Sequence, residues 1–486
     1  MQSWQKNIVA ILFGVGVVLL AELVLQIAHF HSPACDLDPF VSFEESAPVL
    51  IDKTSQGKTT VQINPRLASY FNSVEFPKEK SKTTRRIFVL GGSDVMGFPF
   101  LAPGSFAQFL SLGLKSLDPQ HDYQVVNLSG FGYASYRVLR VFKDALNFEP
   151  DLMIVMTGHN EFLEKREYSA PEKITQFQKK LSRYKIYCLL KAFVFKIHKA
   201  PGKPLISTEV KWEHFTLDPE MREKIIEHYK FNIGQMAALA RDKNVPLLML
   251  TLPSNLRDFP PFHSEHKKDL SAGELAEWQN YSKESDRLIS EKQFAEAATL
   301  LKKEIVIDPD YALSYYQLGQ CLLKIGPEQD AIYAFEIALE KDAWQVRALP
   351  EFNNAIRDLS SQAHVLDLEP IFYAASPDGI PGDNLFYDHC HPHLETQSLI
   401  AKEILRTLGE KGLIQLPDSW ENIYDSDSKA YIDSLPKPFI AKGYYRLAVE
   451  IGVNMGLKEL GKKYLELGLS TDPENPQLKI LSEKFK

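Results

Sequence analysis

The chain has 486 residues, 44% of them hydrophobic, and a formal net charge of −8 from 55 Lys and Arg against 63 Asp and Glu. This hydrophobic content predicts two or three domains with buried cores and excludes wholesale disorder, and the negative balance argues against a nucleic-acid binder. The four cysteines lie far apart without paired spacing, so the sequence indicates neither a disulfide framework nor a CxxC-type zinc site.

The first 30 residues predict a membrane-spanning helix. No charged or amide side chain occurs from residue 8 to residue 21, and the apolar character continues to Phe30 after a single Glu22. This stretch is about long enough to cross a bilayer. Lys6 precedes it and no Lys or Arg follows closely, which places the N-terminus in the cytoplasm. We therefore expect a single-pass anchor in a bacterial inner membrane, with the bulk of the chain extracytoplasmic (periplasmic); a cleaved signal peptide is the alternative.

Residues 31–84 are polar, and we expect an irregular membrane-proximal stalk and entry segment there.

The body of the chain then alternates between two apolar patterns. Short apolar runs that end at Gly, Asn or Pro then predict buried parallel strands at residues 87–90, 124–127, 152–156, 247–252 and 364–368. Apolar residues at helical spacing predict helices at residues 136–147, 221–241 and 394–405. The alternation predicts an α/β fold with helices on both faces of a parallel sheet.

One segment differs in charge from the rest of the chain. Residues 165–203, called the basic segment below, contain eleven basic and two acidic residues, a net charge of +9. Aromatic and aliphatic residues are interleaved with the lysines, which suits a surface facing anionic lipid headgroups or a polyanionic glycan. A solvated helical cover is the alternative.

Two helical units before the last predicted strand resemble tetratricopeptide repeats. They cover residues 293–312 and 315–344 and align at a spacing of 34, with Ala297 matching Ala331. A degenerate third match covers residues 445–473. In such repeats, small residues let two helices approach closely. We expect them either to bind a protein partner or to pack as a lid.

A serine follows the first predicted strand of the body. Residues 87–90 lead into Gly91, Gly92 and Ser93. The carboxyl edge of a parallel sheet is where open α/β folds bind ligands, and the glycines allow a sharp turn there. A hydroxyl at this position is a candidate nucleophile.

Three further blocks carry matching chemistry. Gly132 and Asn160 each follow a predicted strand, where a backbone N–H and a side-chain amide can donate to one point. Asp388 and His391 are three residues apart before a predicted helix, so the carboxylate can hold the imidazole while its other nitrogen faces a serine. All residue types that nucleophilic catalysis on an ester requires are present.

These four blocks, in this order, resemble the SGNH (GDSL-type) hydrolases. The resemblance implies Ser93 as the nucleophile, His391 as the general base and Asp388 as the acid that orients it. It also implies an oxyanion hole made by the Ser93 backbone N–H, the Gly132 N–H and the Asn160 side chain. The first block reads Gly-Gly-Ser instead of Gly-Asp-Ser, and the third reads Gly-His-Asn-Glu instead of Gly-x-Asn-Asp. Neither departure removes a residue with a direct chemical role.

The predicted architecture is therefore a three-layer, SGNH-hydrolase-like α/β domain with an N-terminal transmembrane helix and inserted tetratricopeptide-like helices. The predicted parts are an anchor (1–30), a stalk (31–84), the hydrolase domain in two parts (85–275 and 345–410), the helical insertion (276–344) and a helical extension (411–486).

Other residues have two interpretations. The run from Asp388 to His393 contains five possible metal ligands in six residues, but structural zinc sites draw ligand pairs from separate elements, so we expect no metal. His159, Asn255 and Arg257 are candidate substrate contacts at the carboxyl edge of the sheet; a local hydrogen bond for His159 and a structural turn for the other two are the alternatives.

The sequence thus predicts a cofactor-independent serine esterase acting on an ester, with an O-acyl group of an envelope or exported glycan as the candidate substrate. A glycan O-acetyltransferase and a non-catalytic scaffold that binds a partner through the repeats are the alternatives.

Overall fold

The computed structural model describes residues 3–28, 48–163, 181, 184–187, 189–190, 216, 218–326 and 328–485. The chain divides into two compact units. One comprises residues 1–48 and 164–208, and the other comprises residues 49–163 and 209–486.

The first unit contains helix α1 (Ser3–Ile27), whose side chains are described from Leu12 onward. Its large apolar side chains are exposed, whereas Glu22 is buried. Among the described residues, no helix is long and apolar enough to cross a membrane. The membrane anchor therefore stays a prediction, and most of the basic segment falls beyond the part of the chain that the structure describes.

The second unit begins with a small antiparallel sheet where the sequence predicted irregular chain. Its strands, in spatial order β1-β2-β3, are β1 (Leu50–Ser55), β2 (Lys58–Ile63) and β3 (Glu75–Pro77). Gln56 and Gly57 join the first two strands with φ of 50° and 76°, the left-handed conformation of a two-residue hairpin turn. Val61 and Ile63 alternate inward in β2 and are buried. This sheet corrects our expectation for residues 48–77; residues 29–47 are not described.

A five-stranded parallel sheet forms the centre of this unit, which confirms the predicted α/β class. The spatial order is β5-β4-β6-β7-β8. The strands are β4 (Thr84–Gly91), β5 (Asp122–Asn127), β6 (Leu152–Met156), β7 (Leu247–Leu250) and β8 (His364–Leu366). Residues 87–90 of β4 are at most 3% exposed, as expected for a strand covered on both faces. The last two strands end two residues earlier than predicted.

The helices of the second unit form three groups. Those associated with the sheet are α2 (Ser93–Met96), α3 (Phe106–Leu117), α4 (Ser135–Ala145), α5 (Pro219–Asp242), α10 (Pro350–Arg357), α11 (Leu368–Ala374) and α12 (Leu394–Glu410). Those of the insertion are α6 (Ala272–Ser290), α7 (Phe294–Ile307), α8 (Ala312–Ile325) and α9 (Glu328–Glu340). Those after residue 411 are α13 (Trp420–Ser434), α14 (Lys437–Leu447), α15 (Lys458–Thr471) and α16 (Pro476–Ser482).

Local sequence explains several of these helix boundaries. Ser271 and Glu274 form a capping box at the start of α6, so the helix begins four residues before the predicted domain boundary at residue 276. Ser105 caps α3 and Asp218 caps α5 through side-chain oxygens that accept backbone N–H groups. In the insertion, each helix packs against the next one along the chain.

Candidate active site

Ser93 lies at the carboxyl end of the central strand β4, at the first residue of the short helix α2. Two glycines make the turn between strand and helix possible. A Cβ on Gly91 would lie 2.9 Å from the Cβ of Val95, and one on Gly92 would lie 2.5 Å from Nδ2 of Asn160. Side chains at these positions would therefore collide with the strand-to-helix turn or with the amide that follows β6.

A continuous chain of hydrogen bonds joins Ser93, His391 and Asp388. Nε2 of His391 lies 2.8 Å from Oγ of Ser93, and Nδ1 lies 2.7 Å from Oδ2 of Asp388. Oδ1 of Asp388 accepts the backbone N–H groups of Cys390 and His391, both at 2.9 Å, which fixes the carboxylate. The carboxylate accepts a hydrogen bond from Nδ1–H and remains ionised, so Nε2 of the neutral imidazole is free to accept the serine proton.

The surroundings of Asp388 and His391 shift the pKa values of these two residues in opposite directions. Burial favours the neutral form of Asp388, but His391, His389 and the hydrogen bonds outweigh it and hold the pKa of the Asp388 carboxyl well below its usual range. Burial also favours the neutral form of His391, but the charge and hydrogen bond of Asp388 raise the pKa of this imidazole above its usual value. The ionised carboxylate of Asp388 therefore stabilises the protonated imidazole of His391, which binds its proton more firmly than a free histidine does.

The three predicted oxyanion donors follow three adjacent strands. Ser93, Gly132 and Asn160 come after β4, β5 and β6, so their strands end side by side. Gly132 has a φ of 70°, a conformation that favours glycine. Asn160 is 8% exposed, and its Nδ2 donates to the carbonyl of Tyr133 at 3.1 Å. That bond holds the amide beside the turn that carries Ser93.

The structure places His159 in the core behind this turn. It is 3% exposed, its Nδ1 accepts the backbone N–H of Ala348 at 3.0 Å, and its Nε2 lies 3.9 Å from Oδ2 of Asp94. Because Nδ1 is an acceptor, the ring proton of the neutral form resides on Nε2 and faces Asp94. These are the local contacts that the alternative interpretation expects.

Asn255 and Arg257 support the loop that carries the acid and base. The buried Nδ2 of Asn255 donates to the carbonyl of Asp388 at 3.1 Å and to the carboxylate of Asp383 at 3.0 Å. Arg257 pairs with Asp258 at 2.8 Å, and its carbonyl accepts the hydroxyl of Tyr316 from the insertion at 3.0 Å. Both residues stabilise neighbouring segments of the backbone, and Asn255 does so directly at Asp388.

Two residues beside the nucleophile were not found by sequence reasoning. Asp94 is 2% exposed, and its Oδ2 has no hydrogen-bond partner among the residues that the structure describes. Burial raises the pKa of Asp94 to about 6. The ring of Phe98 lies 4.6 Å from that of His391 and 5.7 Å from that of Phe131. The available signal was that Asp94 directly follows Ser93 and that Phe98 comes soon after it in the sequence.

The acid and base loop also contains atoms of metal-ligand type. Ligand atoms of Asp388, His389, Cys390 and His391 lie within 4.8 Å of one another. However, both oxygens of Asp388 and both ring nitrogens of His391 already form the hydrogen bonds that align Ser93. Burial raises the pKa of the Cys390 thiol, which disfavours the thiolate that zinc prefers. A metal here would disrupt the hydrogen bonds that join Ser93, His391 and Asp388, so the donor set fits this hydrogen-bonded arrangement better than a metal site.

A scan against protein-family models found no match, and a search of curated proteins also found none. The chain is similar to a GDSL-like lipase from Bacteroides thetaiotaomicron (12% identity over 70% of this chain and 93% of that one, TM-score 0.30). It is also similar to a lipase/acylhydrolase from Enterococcus faecalis (10% identity over 67% of this chain and 96% of that one, TM-score 0.25). A third similar structure is a protein from Bacillus subtilis (12% identity over 74% of this chain and 67% of that one, TM-score 0.33). Similarity at this level carries no argument about activity, so the functional argument rests on the geometry of the site.

Proposed function

We propose that this chain is an SGNH-type serine esterase. The observation that carries the proposal is the hydrogen-bond chain from Ser93 through His391 to Asp388, with both distances below 3 Å. A serine hydroxyl is a weak nucleophile at neutral pH, and a positioned base contributes about 10²- to 10⁴-fold in rate. The order of acid, base and nucleophile in space matches a catalytic triad.

The proposed reaction is acyl transfer through a covalent intermediate. The oxygen of Ser93 attacks the ester carbonyl while Nε2 of His391 takes the serine proton. The Ser93 N–H, the Gly132 N–H and the amide of Asn160 stabilise the oxyanion, each donor contributing about 10²- to 10³-fold. His391 then gives its proton to the departing alkoxide, and the acyl group stays on the serine. In the second half, water attacks the acyl carbonyl while Nε2 of His391 takes a proton from it. The imidazolium then gives this proton to the Ser93 oxygen as the bond between the acyl carbon and that oxygen breaks, and the carboxylic acid leaves.

The substrate that we propose is a short O-acyl ester on an envelope or exported glycan. Phe98 lies between His391 and Phe131 and is 5% exposed, so aromatic rings bound the space beside the nucleophile. The extracytoplasmic location and the N-terminal anchor in a bacterial inner membrane are part of the proposal. They are supported by the uncharged apolar stretch from residue 8 to residue 21.

A tetratricopeptide-like role for the insertion also belongs to the proposal. A Cβ on Gly319 of α8 would lie 2.8 Å from the ring of Phe335 on α9, so the small residue permits close helix contact. Ala297 and Ala331 are fully buried at equivalent positions. We propose that the exposed face of these helices binds a protein partner.

A glycan O-acetyltransferase is a second candidate function, which low exposure of the triad favours. Ser93, His391 and Asp388 are 7%, 3% and 1% exposed. A site that excludes water disfavours hydrolysis of the acyl-enzyme and favours attack by a bound sugar hydroxyl. Turnover of an acetyl donor that increases several-fold on addition of a sugar acceptor would support the transferase.

The direct test is labelling of the full chain with a fluorescent fluorophosphonate. We expect wild type to be labelled and Ser93→Ala and His391→Ala to lose labelling by at least 10²-fold. Ser254→Ala, a buried serine outside the triad, is the matched control and retains labelling. Folded wild type that does not react with the probe or with any ester contradicts the proposed esterase.

A further inference from the structure

The first unit presents an extensive apolar surface along α1. Ten large apolar side chains of this helix are 49–74% exposed: Leu12, Phe13, Val15, Val17, Val18, Leu19, Leu20, Leu23, Val24 and Ile27. Soluble proteins rarely expose a contiguous apolar surface of this extent. Such a surface needs an apolar partner.

Glu22 is the polar exception within this surface, and it is only 8% exposed. Its Oε1 accepts the backbone N–H of Lys185 and the side-chain amide of Gln26, both at 2.9 Å. Its Oε2 accepts the backbone N–H of Ile186, also at 2.9 Å. A carboxylate in apolar surroundings is costly unless donors surround it. Two of these donors come from a part of the chain more than 160 residues away.

The described residues next to this contact are themselves apolar and exposed. Tyr184, Leu189 and Leu190 are 52%, 44% and 61% exposed. They belong to the basic segment, whose net charge of +9 contrasts with −8 for the whole chain. Exposed apolar side chains among many lysines are typical of segments that lie at the surface of an anionic bilayer.

We infer that the chain attaches to membranes at two places: through α1, and through residues 184–187 and 189–190, which bind the surface of an anionic lipid bilayer beside it. The carboxylate of Glu22 joins the two by accepting the amides of Lys185 and Ile186. The bilayer is the occupant because it supplies both an apolar phase for Leu189 and Leu190 and negative charge for the basic segment. The inference extends the proposed N-terminal anchor and is independent of the esterase chemistry.

Environment-sensitive probes in the full chain test this inference. Cys35→Ser and Cys188→Ser leave two buried thiols, which burial protects from labelling. A single cysteine is then introduced as Leu190→Cys, Leu19→Cys or Val306→Cys and labelled with a nitrobenzoxadiazole dye. Val306 lies on α7 of the other unit and is 83% exposed, so it is the aqueous control. Leu19 reports on α1.

The labelled chains are reconstituted in phosphatidylcholine vesicles with and without phosphatidylglycerol, and quenching by spin-labelled lipid is measured. We expect several-fold stronger quenching at residue 190 than at residue 306, and a further increase with phosphatidylglycerol that added salt reverses. Quenching at residue 190 equal to that at residue 306 overturns the inference. If residue 19 is quenched while residue 190 is not, only the second attachment is lost; if neither is quenched, the proposed anchor fails too.

Variants of Glu22 test whether its carboxylate joins the two attachment sites. Glu22→Leu removes the acceptor but keeps the helix apolar, so we expect quenching at residue 190 to fall towards the aqueous control while residue 19 stays quenched. Glu22→Gln keeps one acceptor oxygen and serves as the conservative variant with an intermediate loss. Unchanged quenching at residue 190 in Glu22→Leu contradicts the joining role. A dye at residue 190 that responds to a soluble polyanionic glycan, and not to vesicles, overturns the choice of a bilayer.

Discussion

Replacement of Gly92 by alanine tests whether the amide of Asn160 acts as an oxyanion donor. The new Cβ would lie 2.5 Å from Nδ2 of Asn160, whereas carbon normally approaches another heavy atom to about 3.5 Å. The amide must therefore retreat by about 1 Å, which lengthens an oxyanion hydrogen bond of about 2.9 Å beyond the usual limit. Loss of one such donor costs about 10²- to 10³-fold in kcat, or about 3 kcal/mol.

The assay is hydrolysis of a short-chain p-nitrophenyl ester by Gly92→Ala, Asn160→Ala and the double variant. If Gly92→Ala acts by displacing the amide, the double variant is no slower than Asn160→Ala alone. The same Cβ would lie 2.9 Å from Oδ1 of Asp94, and an effect through that carboxylate would add to the loss caused by Asn160→Ala. Multiplicative losses in the double variant, or full activity of Gly92→Ala, would refute the reasoning.

Gly273→Ala is the matched control for this experiment. A Cβ on Gly273 meets no atom within 4 Å, and alanine suits a helix better than glycine, so this variant should keep wild-type kcat and lose no thermal stability. Thermal unfolding of all variants separates a local loss of catalysis from a loss of folded protein.

Three further predictions concern His391 with its partner Asp388, Asn255 beside Asp388, and the buried ion pair of Asp342 with Arg347. The pKa of His391 is raised above 6.5 and the base must be neutral to act, so kcat/KM should fall as the pH drops through this raised pKa. Asp388→Asn removes the charge that raises it, so this variant should lower kcat by about 10⁴-fold and move this limb of the pH–rate profile to lower pH. Asn255→Ala should lower kcat with little change in KM, because it frees the loop at Asp388 without removing a group that contacts substrate; a change in KM alone would contradict this. Asp342→Ala should destabilise the fold by about 3–5 kcal/mol in urea unfolding, since it leaves the buried guanidinium of Arg347 without its carboxylate partner at 3.3 Å; an unchanged midpoint would count against it.

The parallel sheet was predictable because its strands are continuous apolar runs. Residues 87–90 and 152–156 are buried on both faces, and such runs show in sequence as unbroken hydrophobicity. The small sheet before residue 84 was not predicted, because most side chains of β1 are exposed and polar. Its remaining signal was the alternation of Val61 and Ile63 after the Gln56 and Gly57 turn.

The triad residues were predictable as types at suitable positions, but their supports were not. Asn255 contacts Asp388 across 133 residues of chain, and Arg347 donates to the carbonyl of Asn255 across 92. Such contacts depend on how the strands and loops pack, and no spacing in the sequence encodes them. The ring of Phe98 likewise contacts that of His391, and its position depends on helices that come much later in the chain.

The late position of these helices in the sequence bears on the order in which the site can form during synthesis. Phe98 packs into a cluster with residues of α14, α15 and α16, and the base lies 298 residues after the nucleophile. During synthesis, Ser93 is made long before His391, and the helices that pack against Phe98 are made after both. A partly made chain thus carries Ser93 without His391, the base of the proposed mechanism. If the proposed function holds, ester hydrolysis should begin only after α14, α15 and α16 have been made and have packed around Phe98.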